Sequence, residues 1–286
     1  MAAELKKTGD IILKNNQHNK PFVADVRYLD NRSKKPVILF IHGFKGFKDW
    51  GHFNLIADFF AREGFVFVKL NLSHNGTTPE HPMDFVDLEA FSNNTFSIEL
   101  DDIGIVIESI INHQLPVPAG EVDSESIHLI GHSRGGGLVL LKAAEDHRIA
   151  SVSAWAPLHN LKERWPQEVR KKWKKDGIYH VYNGSTKNNK HLMYSIVKDV
   201  MINNQRLNIP EAVGQLNCPI LMIHGTEDKT LDHTKTIELA KKNQSVQVEI
   251  IEDASHTFGG WHPYNASELP EHTRQAVHLT LQFLRK

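Results

Sequence analysis

Apolar and polar positions along the chain follow two alternating patterns, and each predicts a different kind of element. Short continuous apolar runs are typical of strands buried on both faces of a parallel sheet. Stretches with apolar residues every three or four positions are typical of helices packed on one face. The predicted strands cover 10–15, 22–29, 37–41, 66–70, 127–130, 149–155, 220–224 and 246–251, the first two forming a hairpin. The predicted helices cover 52–63, 97–113, 134–146, 234–242 and 271–285. This alternation predicts an α/β fold with a mostly parallel sheet and helices on both faces.

Residues 157–216 interrupt the alternation. They lie between two predicted sheet strands, show no clear strand pattern and are rich in Lys, Arg, Trp, Tyr and Asn. An insertion of this length in a compact α/β domain is usually a lid. We therefore expect a core formed by residues 1–156 and 217–286, and a helical cap formed by residues 157–216.

Composition narrows the classes of partner. The chain has 286 residues, 40% of them hydrophobic, and a formal net charge of −1, so it lacks the basic surplus of a nucleic-acid-binding protein. Its one cysteine, Cys218, permits a reducing compartment. No apolar run resembles a signal peptide or reaches membrane-spanning length. We expect a cytoplasmic protein without nucleic-acid or membrane partners; the sequence does not indicate its oligomeric state.

The pentapeptide Gly131-His132-Ser133-Arg134-Gly135 joins a predicted strand to a predicted helix. A nucleophile elbow requires this context, because the serine must sit on a very tight strand-to-helix turn. Glycines at both ends allow the two arms of the turn to approach closely. Ser133 is therefore the candidate nucleophile, and the alternative is a glycine-rich turn with a surface serine.

A serine hydroxyl needs a histidine base, and the histidine needs a carboxylate that fixes its tautomer. On a sheet of this type both partners follow the serine along the chain, on loops at the carboxyl ends of strands. Asp228 follows the strand 220–224, and His256 follows the strand 246–251. We predict Asp228 as the acid and His256 as the base. Weaker candidates for the acid are Glu227, Asp232 and Asp253.

The oxyanion of an acyl-transfer intermediate needs backbone N–H donors. One donor is expected from the residue after the nucleophile, Arg134, and the other from the loop after the first long core strand. That loop opens with His42-Gly43-Phe44, which makes the Phe44 amide the second candidate.

These motifs resemble the α/β-hydrolase superfamily over residues 10–285, apart from the cap. The matching segments are His42-Gly43-Phe44, Gly131-His132-Ser133-Arg134-Gly135-Gly136, His224-Gly225-Thr226-Glu227-Asp228 and Ala254-Ser255-His256. The resemblance implies an α/β-hydrolase fold with an eight-stranded type of sheet. It gives the same roles to Ser133, Asp228, His256 and the amides of Phe44 and Arg134.

Within the superfamily the chain looks most like small bacterial carboxylesterases such as the feruloyl (cinnamoyl) esterases, and like dienelactone-hydrolase-like proteins. It departs from true dienelactone hydrolases, which use cysteine where this chain has Ser133. It also reads Leu72-Ser73-His74-Asn75-Gly76 where many relatives carry a Gly-His-Gly loop.

The expected activity is hydrolysis of a small-molecule carboxylic ester through an acyl-enzyme, with neither a metal nor an organic cofactor. Three alternatives remain open: a thioesterase or acyltransferase, a small peptidase, and a non-catalytic binding protein of the same fold. Candidates for the substrate pocket are Trp165, Trp173, Tyr182 and Trp261. For the cap aromatics, packing of the cap onto the core is an equally simple explanation.

Overall fold

The main sheet has eight strands and is parallel except at one edge. The computed structural model describes residues 4–15, 17–181 and 190–286. The strands are β1 (Glu4–Asn15), β2 (Lys20–Asp30), β3 (Lys35–Ile41), β4 (Val66–Leu70), β5 (Val122–His132), β6 (Ile149–Trp155), β7 (Ile178–Val181), β8 (Lys190–Met193), β9 (Ile220–Gly225) and β10 (Val246–Ile251). The sheet order is β1-β2-β4-β3-β5-β6-β9-β10. In this order, β1 and β2 are antiparallel to their neighbours and every pair from β4 to β10 is parallel. Strands β7 and β8 form a separate two-stranded sheet.

Helices cover both faces of this sheet. They are α1 (Phe53–Arg62), α2 (Leu88–Asn93), α3 (Phe96–Ile111), α4 (Arg134–Glu145), α5 (Gln167–Asp176), α6 (Ser195–Ile202), α7 (Ile209–Gln215), α8 (His233–Ala240) and α9 (Glu271–Leu284). One buried cluster joins the sheet to α3 and α4, and another joins its opposite face to α1 and α9. Within the described ranges, no helix is both long and apolar enough to cross a membrane. The predicted α/β fold with a mostly parallel, two-sided sheet is confirmed.

The central strands are nearly continuous runs of buried apolar residues, as their sequence pattern predicts. In β3, for example, the residues Val37 to Ile41 are at most 1% exposed. Because both faces of such strands are covered, polar side chains that could meet a ligand lie in the loops at the strand ends. The loops after β3, β5, β9 and β10 therefore converge at the carboxyl edge of the sheet.

The segment 157–216, which we call the insert, is not purely helical. The expectation that it contains no strand is wrong, because β7 and β8 pair antiparallel within it. Each of these strands has only four residues and mixes His, Lys and Tyr with apolar residues, so no alternation stands out from the flanking sequence. The short helix α2 likewise lies in a stretch with no clear periodicity.

The insert shares its buried interior with the rest of the chain. Trp173, Leu192 and Ile196 of the insert belong to the same buried apolar cluster as Phe96 of α3 and Leu138 of α4. Trp173 is 1% exposed, and its indole N–H donates to the Leu192 carbonyl at 3.0 Å. The insert is therefore packed onto the α3 and α4 side of the sheet.

Candidate active site

Ser133 occupies a strained turn between β5 and α4. Its backbone angles are φ 57° and ψ −116°, a region that residues with a side chain rarely adopt. The strain is held by three hydrogen bonds: the Ser133 amide donates to the Trp155 carbonyl, and the Ser133 carbonyl accepts from the amides of Gly137 and Leu158. The turn therefore projects a short polar side chain from the carboxyl edge of the sheet.

The glycines of the turn are required by contact with backbone. A Cβ on Gly131 would lie 2.2 Å from the carbonyl oxygen of Gly135, and a Cβ on Gly135 would lie 2.3 Å from that of Ile41. Rigid backbone atoms cannot move away as a flexible side chain can. The two glycines thus let β5, α4 and β3 approach closely around Ser133.

We expect the substitution Gly131→Ala to destabilise the protein by at least about 3 kcal/mol, because overlap with backbone forces the elbow apart. Urea unfolding followed by circular dichroism measures the difference. Gly120→Ala is the matched control, since beyond the local backbone no heavy atom of the described residues lies within 4 Å of the added Cβ. Its free energy of unfolding should stay within about 1 kcal/mol of the wild type. Equal unfolding midpoints for the two variants would contradict this account of the elbow.

The structure brings Ser133, His256 and Asp228 into one chain of hydrogen bonds. The His256 Nε2 atom lies 2.8 Å from the Ser133 Oγ atom, and the His256 Nδ1 atom lies 2.6 Å from the Asp228 Oδ2 atom. An ionised carboxylate can only accept, so Nδ1 carries the proton and Nε2 presents its lone pair to the serine hydroxyl. This is the tautomer that a general base for serine requires.

Asp228 accepts four hydrogen bonds. Its Oδ2 atom also accepts from Nε2 of His224 at 2.9 Å, and its Oδ1 atom accepts from the amides of Thr230 at 2.7 Å and Leu231 at 2.9 Å. Burial alone would raise the pKa of Asp228, but the hydrogen bonds from His224, His256 and the Leu231 amide hold it well below its usual range. Asp228 is therefore a carboxylate at any pH near neutrality.

The contact of His224 with Asp228 was not predicted from the sequence. It ends the apolar run of β9 and is fully buried, and its Nδ1 atom accepts from the Thr236 hydroxyl at 2.7 Å. The sequence signal that could have indicated this contact is the position of His224 four residues before Asp228. The other carboxylates considered for the acid, Glu227, Asp232 and Asp253, are exposed.

The loop after β3 approaches the elbow closely. A Cβ on Gly43 would lie 3.1 Å from the Ser133 Cβ atom. The Gly43 carbonyl accepts from the Gly46 amide at 3.0 Å and from His42 Nδ1 at 2.9 Å. Because the peptide is planar and trans, the Phe44 N–H points away from these two donors. Among the described residues it has no protein acceptor, which leaves it available to a ligand.

The Arg134 amide is the first of helix α4, and the first amides of a helix have no acceptor within it. It follows Ser133 directly, and the loop that carries the other predicted oxyanion donor, Phe44, approaches the serine from β3 through Gly43. The loop after β4 supports this arrangement, because the Asn75 side-chain amide donates to the Gly46 carbonyl at 3.2 Å. The unusual Leu72 to Gly76 segment thus buttresses the loop that carries Phe44.

Two further histidines lie beside the site and are neutral. Burial lowers the pKa of His132 to about 3 and that of His42 to about 4. The His132 Nε2 atom donates to the His256 carbonyl at 2.7 Å, which fixes the loop that carries the base. Within the described ranges, no group of three or more His, Cys, Asp or Glu side chains is arranged to hold a metal ion.

Two cavities meet at Ser133 and His256. The small cavity, about 370 Å³, is bordered mainly by the aromatic rings of Phe44, Phe47, Trp50, Phe53 and Phe85. The large cavity, about 730 Å³, extends under the insert. Its lining residues include Arg134, Arg164, Trp165, Tyr179, Val181, Leu192 and Leu231. An ester bound across the serine would therefore have one part in each cavity.

The aromatic residues predicted to line the substrate pocket do not all lie at a cavity. Trp165 lines the large cavity. Trp173 does not line it but packs behind Trp165, with ring centroids 5.2 Å apart, because its ring is used to bury the insert. Trp261 borders neither cavity; it is 56% exposed and contacts Tyr264. Tyr182 lies outside the described residues.

Comparison with known proteins identifies the family of the chain. The sequence pattern of the alpha/beta hydrolase family matches residues 38–268. The chain belongs to the alpha/beta hydrolase family. This membership supports a hydrolase with a small-molecule substrate. No protein in a search of curated proteins matched the sequence.

Solved structures of other proteins share the fold of this alpha/beta hydrolase over nearly its whole length. Est1E from Butyrivibrio proteoclasticus is 18% identical, with a TM-score of 0.68, over 98% of this chain and 100% of Est1E. The esterase domain of a Rhodothermus marinus protein is 15% identical, with a TM-score of 0.62, over 99% of this chain and 98% of that domain. DcsB, solved with a substrate analogue, is 15% identical, with a TM-score of 0.72, over 98% of this chain and 99% of DcsB. At these identities the likeness establishes the fold alone.

Proposed function

We propose that this protein is a serine hydrolase that cleaves carboxylic esters through an acyl-enzyme intermediate. The observation that carries the proposal is the hydrogen-bonded chain from Ser133 through His256 to Asp228, located where two cavities meet. Membership of the alpha/beta hydrolase family supports it, as does the likeness in fold to an esterase domain and to Est1E, one structure of which holds ferulic acid.

In the first half-reaction the Ser133 Oγ atom attacks the ester carbonyl carbon while His256 Nε2 accepts the hydroxyl proton. The carbonyl oxygen becomes an oxyanion and is stabilised by the amides of Phe44 and Arg134. Asp228 stabilises the imidazolium that forms. Collapse of the intermediate breaks the bond to the alcohol oxygen, which receives the proton from His256.

In the second half-reaction water attacks the acyl-enzyme. His256 accepts the proton of water, the oxyanion forms at the same two amides, and the Ser133 oxygen leaves with the proton returned by His256. We propose that the insert acts as a cap over the large cavity, with Trp165 in the wall of the substrate pocket. The two cavities would then separate the acyl and alcohol parts of the ester.

Active-site labelling tests the proposal directly. A fluorophosphonate probe should phosphonylate the native protein once, adding the mass of the probe less HF as fluoride leaves. Peptide mapping should locate the adduct at Ser133, because only an activated serine reacts. The matched control is heat-denatured protein, in which the hydroxyl has lost its base. Native protein that binds no probe would contradict the proposal and favour a non-catalytic member of the fold.

Turnover of p-nitrophenyl esters from acetate to laurate then tests the ester class. We expect medium acyl chains to be cleaved better than acetate, since a cavity of about 730 Å³ adjoins the serine. Labelling combined with turnover of acyl thioesters but no oxygen esters would assign the machinery to a thioesterase instead.

A further inference from the structure

The wall of the large cavity carries positive charge. Arg134 and Arg164 line it, and Lys45 does so as well. The other lining residues are apolar, aromatic, histidine or threonine side chains in addition to Ser133, and none of those described is Asp or Glu. A pocket for a purely apolar acyl group has no need of guanidinium groups, whose desolvation is costly.

Arg134 is buried, and most of its side-chain donors have no acceptor in the described part of the chain. Its side chain is 7% exposed, and only its Nε–H donates to a described residue, to Glu99 Oε2 at 2.9 Å. The Nη2 atom is buried and has no acceptor among the described residues. The guanidinium packs against the rings of Phe96 and Phe44, 4.3 Å and 5.2 Å from their centroids. A guanidinium carries five N–H donors in a fixed plane, and the four on the Nη atoms of Arg134 have no acceptor among the described residues.

Arg164 reaches the same cavity from the insert. As a residue Arg164 is exposed to solvent, and no carboxylate among the described residues pairs with it. Partial desolvation and the charge of Arg134 both lower the pKa of Arg164. Glu99 pairs with Arg134 but does not line the cavity. An anion between the two guanidinium groups would therefore gain an ion pair with Arg164 and hydrogen bonds from Arg134. Carboxylate and phosphate groups match the fork of arginine donors.

We propose that the natural ester carries an anionic group, a carboxylate or a phosphate, on the part that occupies the large cavity, where Arg134 and Arg164 bind it. This inference rests on the proposed ester hydrolysis and specifies its substrate class. It makes the side chain of Arg134 a specificity determinant, in addition to the role proposed for its amide.

Matched pairs of esters that differ only in charge test the inference. On the acyl side, the monoethyl esters of succinate, glutarate and adipate are compared with the corresponding ester amides, and ethyl 3-phosphonopropanoate serves as the phosphate-like arm. On the alcohol side, the butyrate ester of 3-hydroxypropanoate is compared with that of 3-hydroxypropanamide. Alkyl esters are used because activated aryl esters of diacids cleave spontaneously. Released acid is measured in a pH-stat.

In at least one pair we expect kcat/KM for the anionic ester to exceed that of its amide by about 10- to 100-fold. Arg164→Gln should bring this ratio close to one, since it removes a charge while keeping a side chain of similar length. Lys172→Gln is the matched control: it removes a positive charge from an exposed position of α5 that does not line the cavity, so the ratio should stay as in the wild type. Arg134 is left unchanged because its removal would leave Glu99 buried without its ion-pair partner.

The outcomes separate this inference from the proposed function. Ser133-dependent cleavage of neutral esters, with no anionic preference in any pair, overturns the substrate class alone. A preference that Arg164→Gln leaves intact overturns it as well. Failure of the wild type to cleave any ester or to react with the fluorophosphonate overturns the proposed function and the inference with it. A preference for the phosphonate over the carboxylates identifies the anion as phosphate.

Discussion

Replacing Ser133 with alanine should lower kcat for ester hydrolysis by about four to six orders of magnitude. The hydroxyl supplies the atom that bonds to the acyl group, and the His256 base lies 2.8 Å from it. Alanine removes one oxygen and leaves the Cβ in place, so the elbow should keep its shape. The loss of one hydrogen bond changes the free energy of unfolding by about 1 kcal/mol. The measurement is kcat with a p-nitrophenyl ester, together with a thermal unfolding curve.

Ser126→Ala is the matched control for this variant. Ser126 lies on the same strand, β5, towards its opposite end, where its hydroxyl contacts His128 at 3.1 Å. It should retain wild-type kcat. If Ser133→Ala kept activity within about tenfold of the control, water activated by His256 or another group would have to be the nucleophile, and the acyl-enzyme proposal would fail.

Asp228→Asn, which leaves the size of the side chain unchanged, should lower kcat by about four orders of magnitude. Each described hydrogen bond to Asp228 comes from a donor: Nδ1 of His256, Nε2 of His224 and the amides of Thr230 and Leu231. An asparagine offers one accepting end and one donating end, so either orientation sets its NH₂ group against two of these donors. With the NH₂ group towards His256, the histidine must present a lone pair at Nδ1 and carries its proton on Nε2, where it can no longer accept from serine.

Asp228→Asn should also change how the free energy of unfolding depends on pH. The folded-state pKa of Asp228 is depressed, so the wild type gains stability from this group above its unfolded-state pKa and loses it as the pH falls through the folded-state pKa. Asp228→Asn should therefore be destabilised at neutral pH, and the difference from the wild type should shrink in acid. Urea unfolding at neutral and acidic pH measures it.

Asp232→Asn is the control, because Asp232 is an exposed residue that caps α8 through the Thr234 amide and has no contact with His256. It should keep kcat near the wild-type value. Equal activity of Asp228→Asn and Asp232→Asn would contradict the role proposed for Asp228.

Much of the fold was predictable because its elements have strong local signals. The apolar runs of β3, β4, β6, β9 and β10 and the periodic helices α1, α3, α4 and α9 appear within a few residues of the predicted bounds. Each of these patterns extends over several residues that are buried on one or both faces, so a single atypical residue does not hide it. The strands β7 and β8 were missed because a strand of only four residues carries almost no periodicity.

The residues of the proposed triad were predictable for a different reason. In a parallel sheet all carboxyl ends lie at one edge, so polar residues that follow separate strands are brought together whatever their distance along the chain. Ser133, Asp228 and His256 were therefore expected to lie near one another, and hydrogen bonds join them in the structure. Their catalytic roles remain predictions for the experiments above.

By itself, the sequence determined the α/β class, the strand-to-helix turn at Ser133 and the loops from which partners could come, because these depend on local pattern and strand direction. Only the tertiary structure decided which acid meets His256, that His224 shares that acid, and that Trp165 lines a cavity while Trp173 packs behind it. It alone shows Arg134 and Arg164 lining one cavity without an acidic residue in its described wall. These contacts depend on how side chains from distant segments of the chain pack together. Such packing produces no periodic pattern in the sequence, so the sequence alone could not predict it.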